Sequence, residues 1–125
     1  MEIIIERIEF HQSELSRLRA MLPDVDFQGL INTVCSTAGI KPYQVQDRSR
    51  YRKIVDARMI VSKELRKFGF SLVSIGSILE RHHSTVHYWL NRYDDLYQYD
   101  NEFRALADAC ANNIEEKHKP QFVQL

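Results

Sequence analysis

The sequence contains little glycine, proline or cysteine, with four, three and two residues among 125. The glycines and prolines fall between apolar segments, and no strict alternation of apolar and polar residues lasts long enough to make a strand. We therefore expect an all-α protein of about six helices. Cys35 and Cys110 lie far apart and form no CxxC pair, which predicts free, buried thiols in a reducing compartment.

A long apolar segment is also absent. No stretch approaches the ~18 apolar residues of a membrane span. The first residues, Met1–Glu6, have neither the basic region nor the apolar core of a signal peptide. We therefore expect a cytoplasmic protein with no membrane partner.

The sequence has no net charge, because 17 basic residues balance 17 acidic ones, but the charges are unevenly distributed. Residues 1–47 hold four basic and seven acidic residues (net −3), residues 48–92 hold ten and three (net +7), and residues 93–125 hold three and seven (net −4). A basic centre between acidic flanks is typical of a segment that binds a polyanion, although a solvated helical face would show the same charge.

The expected organisation is one domain with a helix before it and a short tail after it. Residues 1–23 have apolar positions at mostly helical spacing and end in proline, which predicts an amphipathic N-terminal helix. The domain is expected over residues 24–117, and residues 118–125 form the tail.

Cap residues divide the domain into helices. Asp24 or Asp26 is suited to begin a helix that Gly39 ends. A basic loop over 46–53 then leads into another helix, which shows an apolar face at steps of three and four and which Gly69 ends.

A helix-turn-helix pattern begins at Ser71. This serine is a suitable cap for a short helix, and the polar run Glu80–Ser84 interrupts the apolar face before it begins again at Val86. Gly76 allows the two helices to cross closely. Glu80 stands where many such turns have glycine in a left-handed conformation.

The second helix of this pattern would begin with Ser84, Thr85 and His87 facing outward. Hydroxyl and imidazole groups at a helix N-terminus are suited to base edges and phosphates in a major groove. The pattern therefore predicts binding to double-stranded DNA. An ordinary helical hairpin would show the same apolar spacing.

These segments resemble a known family, the C-terminal DNA-binding domain of the bacterial replication initiator DnaA. Three blocks match in order: RKIVDAR at 52–58, SLVSIG at 71–76 and RHHSTV at 81–86. The last block is similar to the family's R-D-H-[ST]-T-V signature and is the most specific. The resemblance extends from Asp26 to about Ala111 and implies a Trp-repressor-like helix-turn-helix domain over 24–117.

The resemblance also implies roles for individual residues. Arg50 would enter the minor groove, and Lys63 or Arg66 would meet a phosphate. The segment His83–Thr85 would contact bases and backbone in the major groove. Together with their basic and polar neighbours, the candidate DNA-binding residues are Arg48, Arg50, Arg52, Lys53, Lys63, Arg66, Lys67, Ser71, Leu72, Arg81, His82, His83, Ser84, Thr85 and His87.

One candidate departs from the family pattern. His82 stands where the family usually has aspartate, so a donor or cation replaces a hydrogen-bond acceptor at the start of the recognition helix. We expect His82 to favour an acceptor such as guanine N7 or O6, or to contact a phosphate, and so to change the preference at one base pair.

The G-x-x-x-x-G-K-[ST] phosphate loop of an ATPase is missing from the sequence. An initiator needs an ATPase module to assemble on the origin, so we expect a stand-alone DNA-reading domain without catalysis or cofactor. It would act in replication initiation or its regulation, or alternatively as a transcriptional regulator. Its partners would be double-stranded DNA and, through the N-terminal helix, a replication initiator or a second copy of the chain.

A metal or enzyme site is an alternative of another class. His83 and His87 stand four residues apart, and His82 is a possible third zinc ligand. The H-E-x-x-H glutamate is absent, and a helix N-terminus disfavours a divalent cation. Ser84 or Thr85 as a nucleophile would lack an acid to orient His87. We therefore expect no metal and no catalysis.

A protein-interaction module is the third alternative. In it the apolar stripe of the N-terminal helix would form a dimer seam, although packing on the rest of the chain is the expected use. Trp89, Tyr93 and Tyr97 follow helical spacing, so we expect them in the core and not as a base-stacking platform.

Overall fold

Helices form almost all of the region that the structure describes. The computed structural model of the protein describes residues 26–118, in which there are five α-helices, one 3-10 turn and no strand. The all-α prediction is confirmed. The predicted helix over 1–23 and the residues after 118 lie outside the described region. The elements are α1 Phe27–Ala38, the 3-10 turn Pro42–Val45, α2 Arg52–Lys67, α3 Leu72–Leu79, α4 His83–Tyr99 and α5 Asn101–His118.

The helix ends follow the predicted cap residues. The Asp26 carboxylate accepts a hydrogen bond from the Gly29 amide at 2.9 Å and begins α1. Gly39 ends α1 at φ 77°, and Gly69 has φ 95° just after α2. These left-handed angles cost glycine little because it has no Cβ. Ser71 caps α3 by accepting a hydrogen bond from the Ser74 amide at 3.1 Å.

Helix α2 lies at the centre of the fold and contacts α1, α3, α4 and α5. Its apolar residues recur every three or four positions, so one face packs inward against these neighbours. Helix α5 packs across α1 and α4, and α3 packs against α4. No helix within residues 26–118 is both long and apolar enough to cross a membrane. The largest fully buried apolar side chains are Leu30, Val34, Val45, Met59, Ile60, Val61, Leu65, Phe70, Ile75, Leu79, Val86 and Phe103.

The three aromatic residues of α4 do not all lie in the core. Trp89 and Tyr93 are buried, as predicted. The prediction for Tyr97 is wrong, because 37% of this residue is exposed. Its ring stacks on Tyr93 at 5.8 Å, and its hydroxyl donates to the Asp108 carboxylate at 2.8 Å. The phenol needs a polar partner, and it finds one at the surface.

Both cysteines are buried and unpaired, as predicted. Burial raises the pKa of Cys35 to about 11 and that of Cys110 to about 12. Both thiols are therefore protonated at neutral pH, and they act as small apolar groups between α1 and α5.

Candidate nucleic-acid interface

The turn between α3 and α4 is shorter than the polar run in the sequence. Helix α3 ends at Leu79 and α4 begins at His83, so three residues form the turn. Glu80 has φ 57° and ψ 46°, the left-handed conformation that its position in the pattern predicts. A Cβ on Gly76 would overlap the carbonyl oxygen of Arg81, which explains the glycine.

The start of α4 presents polar side chains to solvent. His83, Ser84 and His87 are exposed, and Thr85 is half-buried. His83, Ser84 and Thr85 lie in the first turn and His87 at the start of the second, at the end of the helix where amide N–H groups and the helix dipole favour an anion. The structure therefore gathers the four predicted reading residues of α4 on an accessible helix end.

His82 has a local structural role that the sequence did not reveal. It is the N-cap of α4, and its Nδ1 accepts a hydrogen bond from the Ser84 amide at 3.2 Å. The same nitrogen lies 2.8 Å from the Ser84 hydroxyl oxygen, and the His82 and His83 rings are 4.1 Å apart. An accepting Nδ1 in neutral histidine leaves the proton on Nε2, which points to the other side of the ring.

The two helices enclose an open concavity of about 680 Å3 on this surface. Ser71 caps α3, while Leu72 is half-buried against the core. Sequence reasoning missed Val73 and Ser77, which stand four apart and therefore share a face of α3. Val73 is an apolar residue that is 49% exposed. The concavity is lined by Val73, Gly76, Ser77, Glu80, Arg81, His82 and His83.

The basic loop alternates between outward and inward side chains. Arg48 and Arg50 are exposed, and neither side chain has a hydrogen bond or ion pair within residues 26–118. Asp47 and Ser49 are half-buried. The Asp47 carboxylate accepts from the Ser49 amide at 2.8 Å, and the Ser49 hydroxyl accepts from the Tyr51 amide at 3.2 Å. This period of two gives the loop a basic outer side.

Arg58 of α2 holds the inner side of the loop, a role that sequence reasoning missed. Its guanidinium is buried and donates to the carbonyl oxygens of Val45 at 3.0 Å, Ser49 at 2.8 Å and Asp47 at 2.5 Å. It also meets the Asp47 carboxylate at 3.1 Å. Burial and the nearby charge of Arg81 lower the pKa of Arg58, and the Asp47 carboxylate opposes that shift.

Arg81 connects the same loop to the turn of the helix-turn-helix. Its guanidinium donates to the carbonyl oxygens of Leu79 and Glu80 in the turn, at 3.3 and 3.1 Å. It also donates to the carbonyl oxygens of Gln46, at 3.3 Å, and Asp47 in the loop. The fold therefore brings the basic loop beside the recognition helix, although more than 30 residues separate them in sequence, as the Asp47–Arg81 separation of 34 shows.

The predicted phosphate contacts on α2 are partly neutralised. Lys63 lies 3.3 Å from the Asp94 carboxylate and Lys67 lies 2.9 Å from that of Glu64. Arg66 is exposed, although it donates to the Phe70 carbonyl oxygen at 2.9 Å. The net charge of +7 therefore overstates the charge that this segment presents to a ligand.

Arg52 and Lys53 begin α2 with different surroundings. Lys53 is exposed and has no ion pair among the described residues. The Arg52 guanidinium meets the carboxylates of Asp56 at 3.2 Å and Asp100 at 2.6 Å. Asp100 follows α4, and His83 is at the other end of that helix, about 24 Å away. Arg52 is thus the one predicted site residue that the structure ties to the far end of α4.

The alternative metal site gains no third ligand from the fold. Within residues 26–118 no group of three or more histidine, cysteine, aspartate or glutamate side chains is arranged so that it could hold a metal ion. The Nδ1 of His82 is occupied by its bonds to Ser84, and the Nε2 of His87 lies 3.3 Å from the Asn91 amide nitrogen.

The basic loop, α3, the turn and the first part of α4 lie within a match to a known family. Residues 28–92, just over half of the chain, match the family described as bacterial dnaA protein helix-turn-helix. The chain belongs to this DnaA helix-turn-helix family. Membership identifies it as a DNA-binding protein whose partner is double-stranded DNA. The three sequence blocks at 52–58, 71–76 and 81–86 all lie inside the match.

The DnaA family match is shorter than the resemblance predicted. It ends at Arg92, within α4, whereas the resemblance extended to about Ala111. The acidic end of α4 and the whole of α5 therefore lie outside the matched region. These elements complete the core of this chain without forming part of the family pattern.

Proposed function

We propose that this protein reads a specific sequence in double-stranded DNA, with the start of α4 in the major groove and the basic loop in an adjacent minor groove. The observation that carries the proposal is the attachment of the loop to the turn through Arg81. It places the outward Arg48 and Arg50 beside the N-terminal turn of α4. The arrangement supplies one element for each groove on a single surface.

Two groups of side chains have different tasks in this proposal. Phosphate contacts position the protein, and base contacts in the major groove supply sequence preference. Exposed ion pairs are worth about 0–1 kcal/mol, so a DNA phosphate readily replaces the carboxylate partner of a lysine. The residues proposed to contact phosphates are Arg48, Lys53, Lys63, Arg66, Lys67, Ser71 and Leu72. Ser71 and Leu72 would do so through the N-terminus of α3. The reading group comprises His82, His83, Ser84, Thr85 and His87, with Arg50 in the minor groove.

His82 would read a base through Nε2. Because its Nδ1 caps α4, the neutral ring presents an N–H donor on its outer side. A donor at this position fits guanine N7 or O6, whereas the aspartate usual in the family accepts from cytosine. The cap geometry supports the expectation that this chain prefers a different base pair at one position.

The biological role we propose is in replication initiation or its regulation, without catalysis and in the cytoplasm. Support comes from family membership and from the absence of an ATPase phosphate loop in the sequence. A transcriptional regulator is the second candidate, and the histidine at position 82 favours it because a changed base preference would lead the protein away from initiator sites. A replication initiator, or a second copy bound through residues 1–23, is the proposed protein partner.

Selection of bound sequences from a random duplex pool tests the function. A consensus close to the initiator's site supports the replication role, and an unrelated consensus supports transcriptional regulation. Failure to enrich any sequence contradicts specific reading. A salt titration is the companion measurement, because six phosphate contacts give a slope of log K against log salt near roughly −5. A flat response contradicts DNA binding by this surface.

A further inference from the structure

Two guanidinium groups approach the basic loop from opposite elements of the fold. Arg58 comes from the middle of α2, and Arg81 comes from the turn before α4. Both donate a hydrogen bond to the carbonyl oxygen of Asp47. Like charges repel, and the nearby charge of Arg81 contributes to lowering the pKa of Arg58. Hydrogen bonds from both guanidinium groups to carbonyl oxygens of the loop offset this repulsion.

Arg58 has no free surface for DNA. Only 6% of its side chain is exposed, and its nitrogens are directed to loop carbonyls and one carboxylate. It therefore contacts the loop only from the side that faces the protein core. Arg81 is half-buried and its contacts are divided between the loop and the turn. A second link, from the Gln46 side-chain amide to the Ile78 carbonyl oxygen at 2.9 Å, joins the loop to the end of α3.

We propose that Arg58 and Arg81 are positioning residues that lock the basic loop to the helix-turn-helix, so that the loop and α4 bind DNA as one coupled unit. This inference rests on the proposed function. An unlocked loop has to be ordered when it binds, and that ordering lowers affinity. With the contacts of Arg58 and Arg81 in place, the basic loop is already ordered in the free protein.

The coupling is measured with a double-mutant cycle on the selected duplex, using Arg50→Ala and Arg81→Ala. If Arg81 acts through the loop, its removal already disables Arg50. Each single variant is expected to raise Kd roughly ten- to hundredfold. The double variant should then bind within about threefold of the weaker single variant. If the increase in Kd of the double variant equals the product of the two single increases, the proposed coupling is overturned. Lys67→Ala replaces Arg50→Ala in a matched cycle, and there the losses should multiply.

A conservative variant separates positioning from a direct phosphate contact. Arg81→Lys keeps the positive charge but has a single ammonium, which does not span both the turn and loop carbonyls. We expect it to bind as weakly as Arg81→Ala. Affinity equal to that of the wild type would mean that the charge alone matters, and it would overturn the inference.

Amide hydrogen exchange tests the lock without DNA. The Ser49 and Tyr51 amides donate to loop side chains, so their protection reports loop order. Arg81→Ala should speed exchange of these two amides, and Lys67→Ala should leave them unchanged. Unchanged protection in Arg81→Ala would overturn the lock. Wild-type protein that binds no duplex would instead overturn the proposed function, while the exchange result would still decide whether the lock exists.

Discussion

The basic loop and helix α2 have the same sign of charge in the sequence, but the fold uses these charges differently. In the loop, Arg48 and Arg50 face solvent without a partner in the described region. On α2, Arg52 and Lys63 are paired with carboxylates, and Arg58 is buried under loop carbonyls. The charge offered to a ligand is therefore the part left after the protein has used its own cations for structure.

The strongest test of this difference concerns protein stability. Arg58→Ala should lower the free energy of unfolding by about 3–5 kcal/mol, because it leaves several buried carbonyl oxygens without donors. Arg48→Ala should change it by less than about 0.5 kcal/mol, because its side chain is exposed. Urea unfolding followed by circular dichroism measures both. Equal effects would remove the distinction between inward and outward arginines.

DNA affinity should show the opposite order. Arg50→Ala should lose about 1–3 kcal/mol of binding to the selected duplex, because this outward arginine enters the minor groove in the proposed complex. Arg52→Ala should lose much less binding free energy. Its guanidinium is held by Asp56 of α2 and by Asp100, which follows the far end of α4. Fluorescence anisotropy titrations at one salt concentration give the comparison. A larger loss of affinity for Arg52→Ala than for Arg50→Ala would mean that DNA binds near Asp100 and not at the basic loop.

His82 has both a structural role and a proposed DNA-binding role, since it caps α4 and would face the major groove of DNA. His82→Asp keeps a capping acceptor and should move the selected base at one position towards the initiator's site, by about 1–3 kcal/mol of discrimination. His82→Ala is the control: it should lose about 1 kcal/mol of stability with the cap. An unchanged consensus in His82→Asp would show that this side chain reads no base.

Glu80 is a framework residue whose replacement should improve the protein. Its left-handed backbone costs a non-glycine residue roughly 1 kcal/mol, so Glu80→Gly should raise the melting temperature. Glu80→Gln removes the charge but keeps the backbone cost, and it should melt like the wild type. A gain in both variants would trace the effect to charge instead of conformation.

The smallest expected effect is the pH dependence contributed by Asp100. A hydrogen bond from the Phe103 amide and the contact with Arg52 lower the pKa of this carboxyl. A lowered folded pKa adds stability above the ordinary aspartate value near 3.8, and that stability is lost as pH falls through the folded value. Asp100→Asn should therefore flatten the acid side of the stability profile slightly in a thermal melt series. A profile unchanged below pH 4 would mean that the pair is unimportant.

Local signals in the sequence were enough to place most of the fold. Capping residues such as Asp26 and Ser71 act within three positions, so their hydrogen bonds are predictable from neighbours alone. The left-handed angle at Glu80 was likewise anticipated from the spacing of the turn. Tyr97 was misjudged because helical spacing describes a face and does not show how far the packed region extends along it.

The candidate site was only partly predictable, because its support depends on distant contacts. Arg58 was counted in the basic segment, yet nothing near it in sequence shows that it is buried under Val45 and Asp47. The ion pair of Lys63 with Asp94 joins residues 31 positions apart. The one local sign in the sequence was that small polar residues alternate with arginines from Asp47 to Arg50, which indicates an inner and an outer side of the basic loop.

The length of α4 keeps the carboxylate at its far end away from the recognition turn. Asp100 is about 24 Å along the helix from His83, and ions at physiological strength screen exposed charges over about 8 Å. About three screening lengths therefore separate Asp100 from the recognition turn. Asp100 is therefore largely screened from an anion at the recognition turn, whereas the exposed Arg48 and Arg50 belong to the loop beside that turn.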